Sequence, residues 1–188
     1  MTPNQVSLAS IVFAAGAAGA LCMAGTHIGS SATPWLVAAA AGIQLRLLCN
    51  LLDGLLAIEG GLKTKTGDLY NEVLDRVADI LILLAAGVTV RSCQWGMQLG
   101  VAAAMLAVLT AYIRLLGGSL GLPQDFRGPM AKQHRMFTLT VGALAAAIEH
   151  AMRGRIETLY AAVIVIVAGS LITLALRTQR MARALHAR

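Results

Sequence analysis

The sequence predicts an all-α fold, a polytopic membrane bundle of six transmembrane helices. Hydrophobic residues make up 57% of the 188 residues and charged residues only 13%, and the mean hydropathy is +0.72. A soluble globular domain carries about 25% charged residues. Apolar stretches of about the length that a membrane-spanning helix needs, roughly 20 residues, follow one another along the chain. They cover about 6–25, 35–58, 69–90, 95–116, 136–152 and 158–176.

Local composition sets the limits of these elements. The first stretch is rich in glycine and alanine, which lets helices approach closely in lipid. The second begins after Pro34 and stops at the Gly60-Gly61 pair. The longest polar segment, 117–135, contains four glycines and two prolines and predicts a loop with a short surface helix near its end. Because the six stretches fill the chain, we expect one transmembrane domain over residues 1–188.

Basic residues predict the orientation in the membrane. Nine of them fall on one side of the six-helix layout and three on the other, which places both termini in the cytoplasm under the positive-inside rule. We therefore expect a protein of the bacterial inner membrane. This asymmetry also explains the pI of about 9.8 without a nucleic-acid partner. The nine are Lys63, Lys65, Arg127, Lys132, Arg135, Arg177, Arg180, Arg183 and Arg188, and the three are Arg91, Arg153 and Arg155.

Three carboxylates lie in or against apolar stretches: Asp53, Asp75 and Asp79. A carboxylate at membrane depth costs roughly 2.5–3.5 kcal/mol on insertion scales, so it needs a partner there. A divalent ion can gather several carboxylates that would otherwise repel one another. The simpler alternative is that these acids form ion pairs with Arg46 and Arg76 and stabilise helix packing.

Helical spacing arranges the polar residues in two stripes. The second helix presents Asn50, Asp53, Gly54 and Ala57 at i, i+3, i+4 and i+7, and the third presents a similar row. Carboxylate and amide oxygens without thiolates or imidazoles suit Mg²⁺ or Mn²⁺ better than zinc. The row on the third helix is Asn71, Glu72, Asp75 and Asp79.

These two stripes resemble the signature of the CDP-alcohol phosphotransferase family. That signature reads D-x-x-D-G-x-x-A-R and then G-x-x-x-D-x-x-x-D. Asp53-Gly54-Leu-Leu-Ala57 and Asp75-Arg-Val-Ala-Asp79 match it, and the six-helix layout is similar over nearly the whole chain. Asn50 stands at the first aspartate, Ile58 at the arginine and Asn71 at the later glycine, and the spacer is about four residues longer.

The resemblance implies the roles of individual residues. Asp53 would bridge two divalent ions, Mg²⁺ or Mn²⁺, and Asp75 would be a ligand. Asp79 would be a ligand or the base that accepts the proton of the alcohol. The remaining implied ligands are Asn50 and Glu72, while Gly54, Ala57 and Asn71 would line the nucleotide pocket.

A basic group near the fourth loop is a further candidate site. It consists of Arg114, Arg127, Lys132 and Arg135. Such a run commonly marks topology or contacts lipid headgroups. The sharper hypothesis is a pocket for a phosphorylated acceptor, since arginine matches phosphate geometry.

The resemblance implies a phosphatidyltransferase of phospholipid biosynthesis. It would move a phosphatidyl group from CDP-diacylglycerol to a polar alcohol, either phosphorylated or unphosphorylated, and release CMP. Its partners would be these two substrates and membrane lipid, with a homodimer implied by resemblance. Two alternatives stay open: a catalytically degenerate lipid- or nucleotide-binding protein of the same fold, and a small transporter that binds a coupling cation.

Overall fold

Six α-helices in chain order form the molecule. The computed structural model describes residues 3–28, 31–58 and 66–187, and within these ranges it has helices and no strand. The predicted all-α bundle of six helices is confirmed. The helices are α1 (Pro3–Thr26), α2 (Ala32–Ile58), α3 (Gly67–Thr89), α4 (Gly96–Ser119), α5 (Lys132–Arg153) and α6 (Glu157–His186).

α2 begins at Ala32, before Pro34 instead of after it, and α5 and α6 extend furthest beyond the predicted limits. α5 begins at Lys132 instead of 136, so the residues predicted as a surface helix are its first turn, and the loop shortens to 120–131. α6 continues to His186, ten residues past the apolar stretch. The apolar pattern ends at the first charged residues. Both helices continue through them because Lys132, Arg135 and Arg177 have polar partners inside the bundle.

Four helices of the described ranges are long and apolar enough to cross a membrane: α1, α2, α4 and α6. The chain is accordingly a membrane protein. α3 and α5 have 23 and 22 residues, and at about 1.5 Å per residue they also match the thickness of a bilayer core. They do not meet the same criterion of composition because they carry charged side chains, several of which are buried inside the bundle.

The helices close into a ring around a core of small and branched residues. α1 packs against α2 and α3, α3 packs against α4, α2 against α5, and α6 against α4 and α5. Two crossings depend on glycine: a Cβ at Gly100 would lie 2.5 Å from the Cα of Gly87, and one at Gly42 would lie 2.9 Å from the Cβ of Ala17. Small residues at such crossings drive helix association in lipid.

We expect Gly100→Ala to destabilise the bundle, since the new methyl group would meet the backbone of α3, which cannot move without repacking. Overpacking of this kind costs about 1–3 kcal/mol. The measurement is the midpoint of thermal unfolding of the purified protein in detergent. Gly16→Ala is the matched control, because a Cβ there meets nothing within 4 Å and alanine is the better helix former. Equal midpoints for the two variants would contradict the assigned crossing.

Candidate active site

The three membrane-depth aspartates lie together at one end of the bundle. Asp75 and Asp79 are one turn apart on α3, and Asp53 lies near the end of α2; all three are buried. Basic side chains of two helices contact Asp75 and Asp79: Arg46 comes from α2, and Lys132 and Arg135 come from α5. The acids and their partners divide into two groups. The inner cluster is Arg46, Asp79 and Arg135, and the outer cluster is Asn50, Asp53, Asp75 and Lys132.

Arg46 connects the two clusters. Its guanidinium Nη2 lies 2.9 Å from Asp79 Oδ1 and 3.2 Å from Asp75 Oδ1, and it donates to the main-chain carbonyl of Asp75 at 3.3 Å. The side chain has no exposed surface. Arg46 lies one turn before Asn50 on the same stripe of α2, which is why its long side chain reaches the acids of α3.

Arg135 completes the inner cluster. Its Nη2 donates to Asp79 Oδ2 at 3.3 Å, and its Nη1 donates to Thr110 Oγ1 and to the carbonyl of Met130. Both oxygens of Asp79 therefore face guanidinium groups, and Asp79 has no exposed surface. The structure presents Asp79 as a counter-ion of two arginines. Its predicted role as a base stays a prediction, and that role requires one of these ion pairs to open.

The outer cluster is centred on Asp75. Asn50 Nδ2 donates to Asp75 Oδ1 at 2.7 Å, and Lys132 forms an ion pair with Asp75 Oδ2. Asn50 Oδ1 is buried, and no hydrogen-bond donor reaches it from the described residues. Asp53 Oδ2 accepts a hydrogen bond of 2.5 Å from Ser7 of α1, and Asp53 lies within electrostatic range of Asp75 and Lys132.

Glu72 pairs with cations instead of joining the other acids. Arg114 Nη2 lies 2.6 and 2.7 Å from its two carboxylate oxygens, and Arg76 approaches one of them at 3.3 Å. Arg114 also stacks on the ring of Phe126 at 4.9 Å. Glu72 is the sixth residue of α3, beyond the first turn, so its partners are these arginines and not the helix dipole.

A cavity of about 480 Å³ opens beside the outer cluster. Its wall includes Asp75 and Glu72, but basic side chains outnumber these acids, so the cavity favours an anion. We call it the basic cavity. Its basic lining residues are Arg76, Arg114, Lys132, Arg135 and Arg177, and its other lining residues include the predicted Asn71 together with Thr110, Phe126 and Gln133.

Arg127 lies apart from the basic cavity. It lines a second cavity of about 110 Å³ and pairs with Asp125, at 2.9 Å from Nε to Oδ1. Partial burial opposes ionisation of Asp125, but hydrogen bonds from Arg127 and Arg180 outweigh it and lower the pKa of Asp125 to about 2. Asp125 therefore stays charged at physiological pH and holds the loop 120–131 against α6 through Arg180.

The remaining predicted residues lie on α2 or outside the described ranges. Gly54 faces open space, since a Cβ there would meet nothing within 4 Å, which fits its predicted place beside a ligand. Ala57 belongs to α2, but its side chain is not among those described. Glu59, a further acid of the sequence directly after α2, lies outside the described residues, as do Lys63 and Lys65.

Two residues that the sequence did not single out belong to the site. Arg177 lines both cavities and donates to the carbonyls of Thr110 and Arg127, which ties α6 to α4 and to the loop. Its signal was an arginine directly after an apolar stretch, which also fits a topology marker. Ser7 binds Asp53, and nothing in the pattern of α1 predicted that contact.

The donor set fits a divalent ion in the outer cluster alone. Asn50 Oδ1 is a buried acceptor that no donor of the described residues reaches, Asn50 contacts Asp75, and Asp53 lies one turn further along the same stripe of α2. Among the described residues no three Asp, Glu, His or Cys side chains are close enough together to hold a metal. The five ligands predicted for two ions are thus divided. Asp79 and Glu72 pair with arginines. Asp75 also contacts Arg46 and Lys132, but it lies beside Asn50, and these two residues form the outer cluster with Asp53.

Solved structures of a phosphatidylinositol phosphate synthase from Mycobacterium tuberculosis have this fold. The structure with CDP-DAG bound matches with a TM-score of 0.79 at 19% identity, covering 96% of this chain and 86% of that chain. The structure in complex with manganese and citrate gives the same TM-score and identity over 96% and 82%. The apo form gives a TM-score of 0.76 at 19% identity, over 95% and 88%.

At this identity the likeness establishes the fold. That fold is the one implied by the resemblance to the CDP-alcohol phosphotransferases, so the expectation for the fold is confirmed. No family model matches the chain. No curated protein sequence matches it either.

We expect Asp79→Asn to destabilise the protein more than Asp53→Asn. Neutralising Asp79 leaves two buried guanidinium groups without their shared partner, and breaking a buried pair costs about 3–5 kcal/mol. Asp53→Asn disturbs mainly the hydrogen bond from Ser7, which contributes about 1 kcal/mol. The measurement is thermal unfolding in detergent. Glu157→Gln, which removes an exposed pair with Arg155, is the control and should change little. A larger effect at Asp53 would contradict the assigned inner cluster.

Proposed function

We propose that this protein is a membrane phosphatidyltransferase that moves a phosphatidyl group from CDP-diacylglycerol to a polar alcohol and releases CMP. The observation that carries the proposal is the outer cluster, built on the D-G-x-x-A and D-x-x-x-D residues and opening on the basic cavity. The fold adds support, because the synthase that shares it has been solved with CDP-DAG bound. A site at the end of a membrane bundle suits a donor with a lipid tail and an acceptor from the aqueous phase.

Asn50, Asp53 and Asp75 would hold a divalent ion, as the synthase of this fold has been solved in complex with manganese. Such an ion supplies charge stabilisation to a reacting phosphoryl group. We also propose that both termini are cytoplasmic, on the evidence of the basic residues alone.

The basic cavity would position the two substrates. Arg76, Arg114 and Lys132 place cationic groups along one wall, where they would bind the phosphates of the donor and of a phosphorylated acceptor. Phosphoryl transfer depends mainly on position and on stabilisation of the developing negative charge. Asp75 lines the cavity and belongs to the outer cluster, and it would hold Lys132 and Arg76 in place, while Glu72 holds Arg114.

The second candidate is a degenerate lipid- or nucleotide-binding protein of the same fold. Its specific support is the set of charges around Asp75 and Asp79, since arginine and lysine already neutralise both carboxylates. Such a protein would bind the donor in the basic cavity without transfer.

Release of CMP separates the two functions. We expect purified protein in nanodiscs to release CMP from CDP-diacylglycerol when Mg²⁺ or Mn²⁺ and an alcohol are present, measured by mass spectrometry of CMP and of the lipid product. Asp53→Asn should lower the rate by at least about 100-fold, because it removes a charge from the outer cluster. Glu157→Gln, at the far end of the bundle, should keep the wild-type rate. Donor binding without CMP release from any alcohol would favour the degenerate protein.

The charge of the basic cavity predicts the class of acceptor. We expect a phosphorylated alcohol, such as glycerol phosphate or inositol phosphate, to react with a higher kcat/KM than the unphosphorylated form. Arg114→Gln should reduce this preference by about tenfold, the loss that one charged hydrogen bond of about 1.4 kcal/mol would give. Arg91→Gln, between α3 and α4 and remote from the cavity, is the matched control. Equal use of both alcohols by the wild type would rule out a phosphate subsite.

A further inference from the structure

Arg46 stands between two carboxylates that the resemblance assigns to metal. We propose that Arg46 is a built-in cation that takes the place of one of two divalent ions, so that the protein binds a single divalent ion at Asn50, Asp53 and Asp75. This inference rests on the proposed function and specifies the ion requirement of the same site.

The geometry gives Arg46 the position of a bridging cation. One nitrogen, Nη2, is within 3.2 Å of carboxylate oxygens of both Asp75 and Asp79, and it also contacts the Asp75 carbonyl. A group that touches both carboxylates leaves no space between them for a second cation. The contact follows from the chain itself, since Arg46, Asn50 and Asp53 lie on one stripe of α2.

Burial keeps Arg46 in place. Its side chain has no exposed surface, and two of its nitrogens, Nε and Nη1, have no hydrogen-bond acceptor among the described residues. A guanidinium in this position is held by its charge partners. Its departure would leave Asp79 with Arg135 alone and Asp75 without one of its two buried donors, and uncompensated buried charge is strongly destabilising.

Lys132 differs from Arg46 in its freedom to move. Its side chain is 24% exposed and lines the basic cavity, and its ammonium group is attached through a flexible four-carbon chain. An incoming ion can therefore displace the ammonium from Asp75 into the cavity. Asn50 can then turn its unpartnered oxygen to the ion, since its amide nitrogen is needed at Asp75 only when no ion is present.

The number of available carboxylates supports one ion. In the two clusters both oxygens of Asp79 face Arg46 and Arg135, so only Asp53 and Asp75 can bind an ion. An ion that replaces Lys132 meets the charges of these two carboxylates, while Arg46 and, at 3.8 Å, Arg76 stay beside Asp75. A second ion finds no further carboxylate in the two clusters, because Asn50 contributes no charge.

The test counts Mn²⁺ ions. Purified full-length protein in nanodiscs of neutral lipid is titrated with Mn²⁺, and free Mn²⁺ is measured by electron paramagnetic resonance. We expect one bound ion for each chain. Lys132→Met should tighten binding by roughly tenfold or more, because an adjacent ammonium repels the ion. Asp53→Asn should abolish binding, and Asp125→Asn is the control that should leave it unchanged.

A variant with two changes on α2 completes the test. Arg46→Ala combined with Asn50→Asp removes the built-in cation and restores a charge, so the number of bound ions should rise to two. If that variant does not fold, the wild-type count still decides: two ions, or none at millimolar Mn²⁺, would overturn the inference. One bound ion without CMP release would leave the inference standing and refute the proposed function. Two ions with turnover would do the reverse.

Discussion

A carboxylate held among the membrane helices needs a cation or a hydrogen-bond donor, and this requirement organises one end of the molecule. Asp79 has no contact with water and is held by Arg46 and Arg135, which come from α2 and α5. The contact between Asp79 and Arg135 determines where α5 begins, because the helix must start early enough to place Arg135 beside α3. Lys132 then falls one turn earlier and reaches Asp75. The basic cavity is thus a consequence of the charge pairing that stabilises the bundle.

The same pairing divides the acids by chemistry. Around Asp79 the charged groups are buried and paired with one another, so this part of the site is structural. Around Asp75 and Asp53 the charge compensation includes Lys132, a partly exposed group at the wall of a cavity, and Asn50 adds an oxygen that has no donor among the described residues. A metal ion can replace an exchangeable cation, and a metal ion or a substrate can bind an acceptor oxygen that no described donor reaches. The proposed chemistry therefore belongs to the outer cluster.

The fold and the acids were predictable because both depend on local pattern. The apolar stretches predict six helices, and a spacing of three or four residues predicts that Asp53, Asp75 and Asp79 lie on the inward faces of their helices. The partners were less predictable, since Lys132 and Arg135 lie in a segment that reads as a cytoplasmic loop and Arg177 reads as a topology marker. Which cation meets which acid depends on how α5 and α6 pack against α3 and α4. That packing joins residues more than 50 positions apart, as in the contact between Asp79 and Arg135.

A cation fixed to the chain differs from a bound ion in what it demands of folding. Carboxylates that share only diffusible ions repel one another whenever the ions leave, so such a site is under strain in its empty state. Arg46 removes that repulsion between Asp75 and Asp79 permanently, and the helices can pack before any ion arrives. The positions of the two carboxylates are then fixed, because the guanidinium group stays bound to both of them. Stability without metal and a reduced capacity for metal are therefore two results of the same side chain, Arg46 of α2.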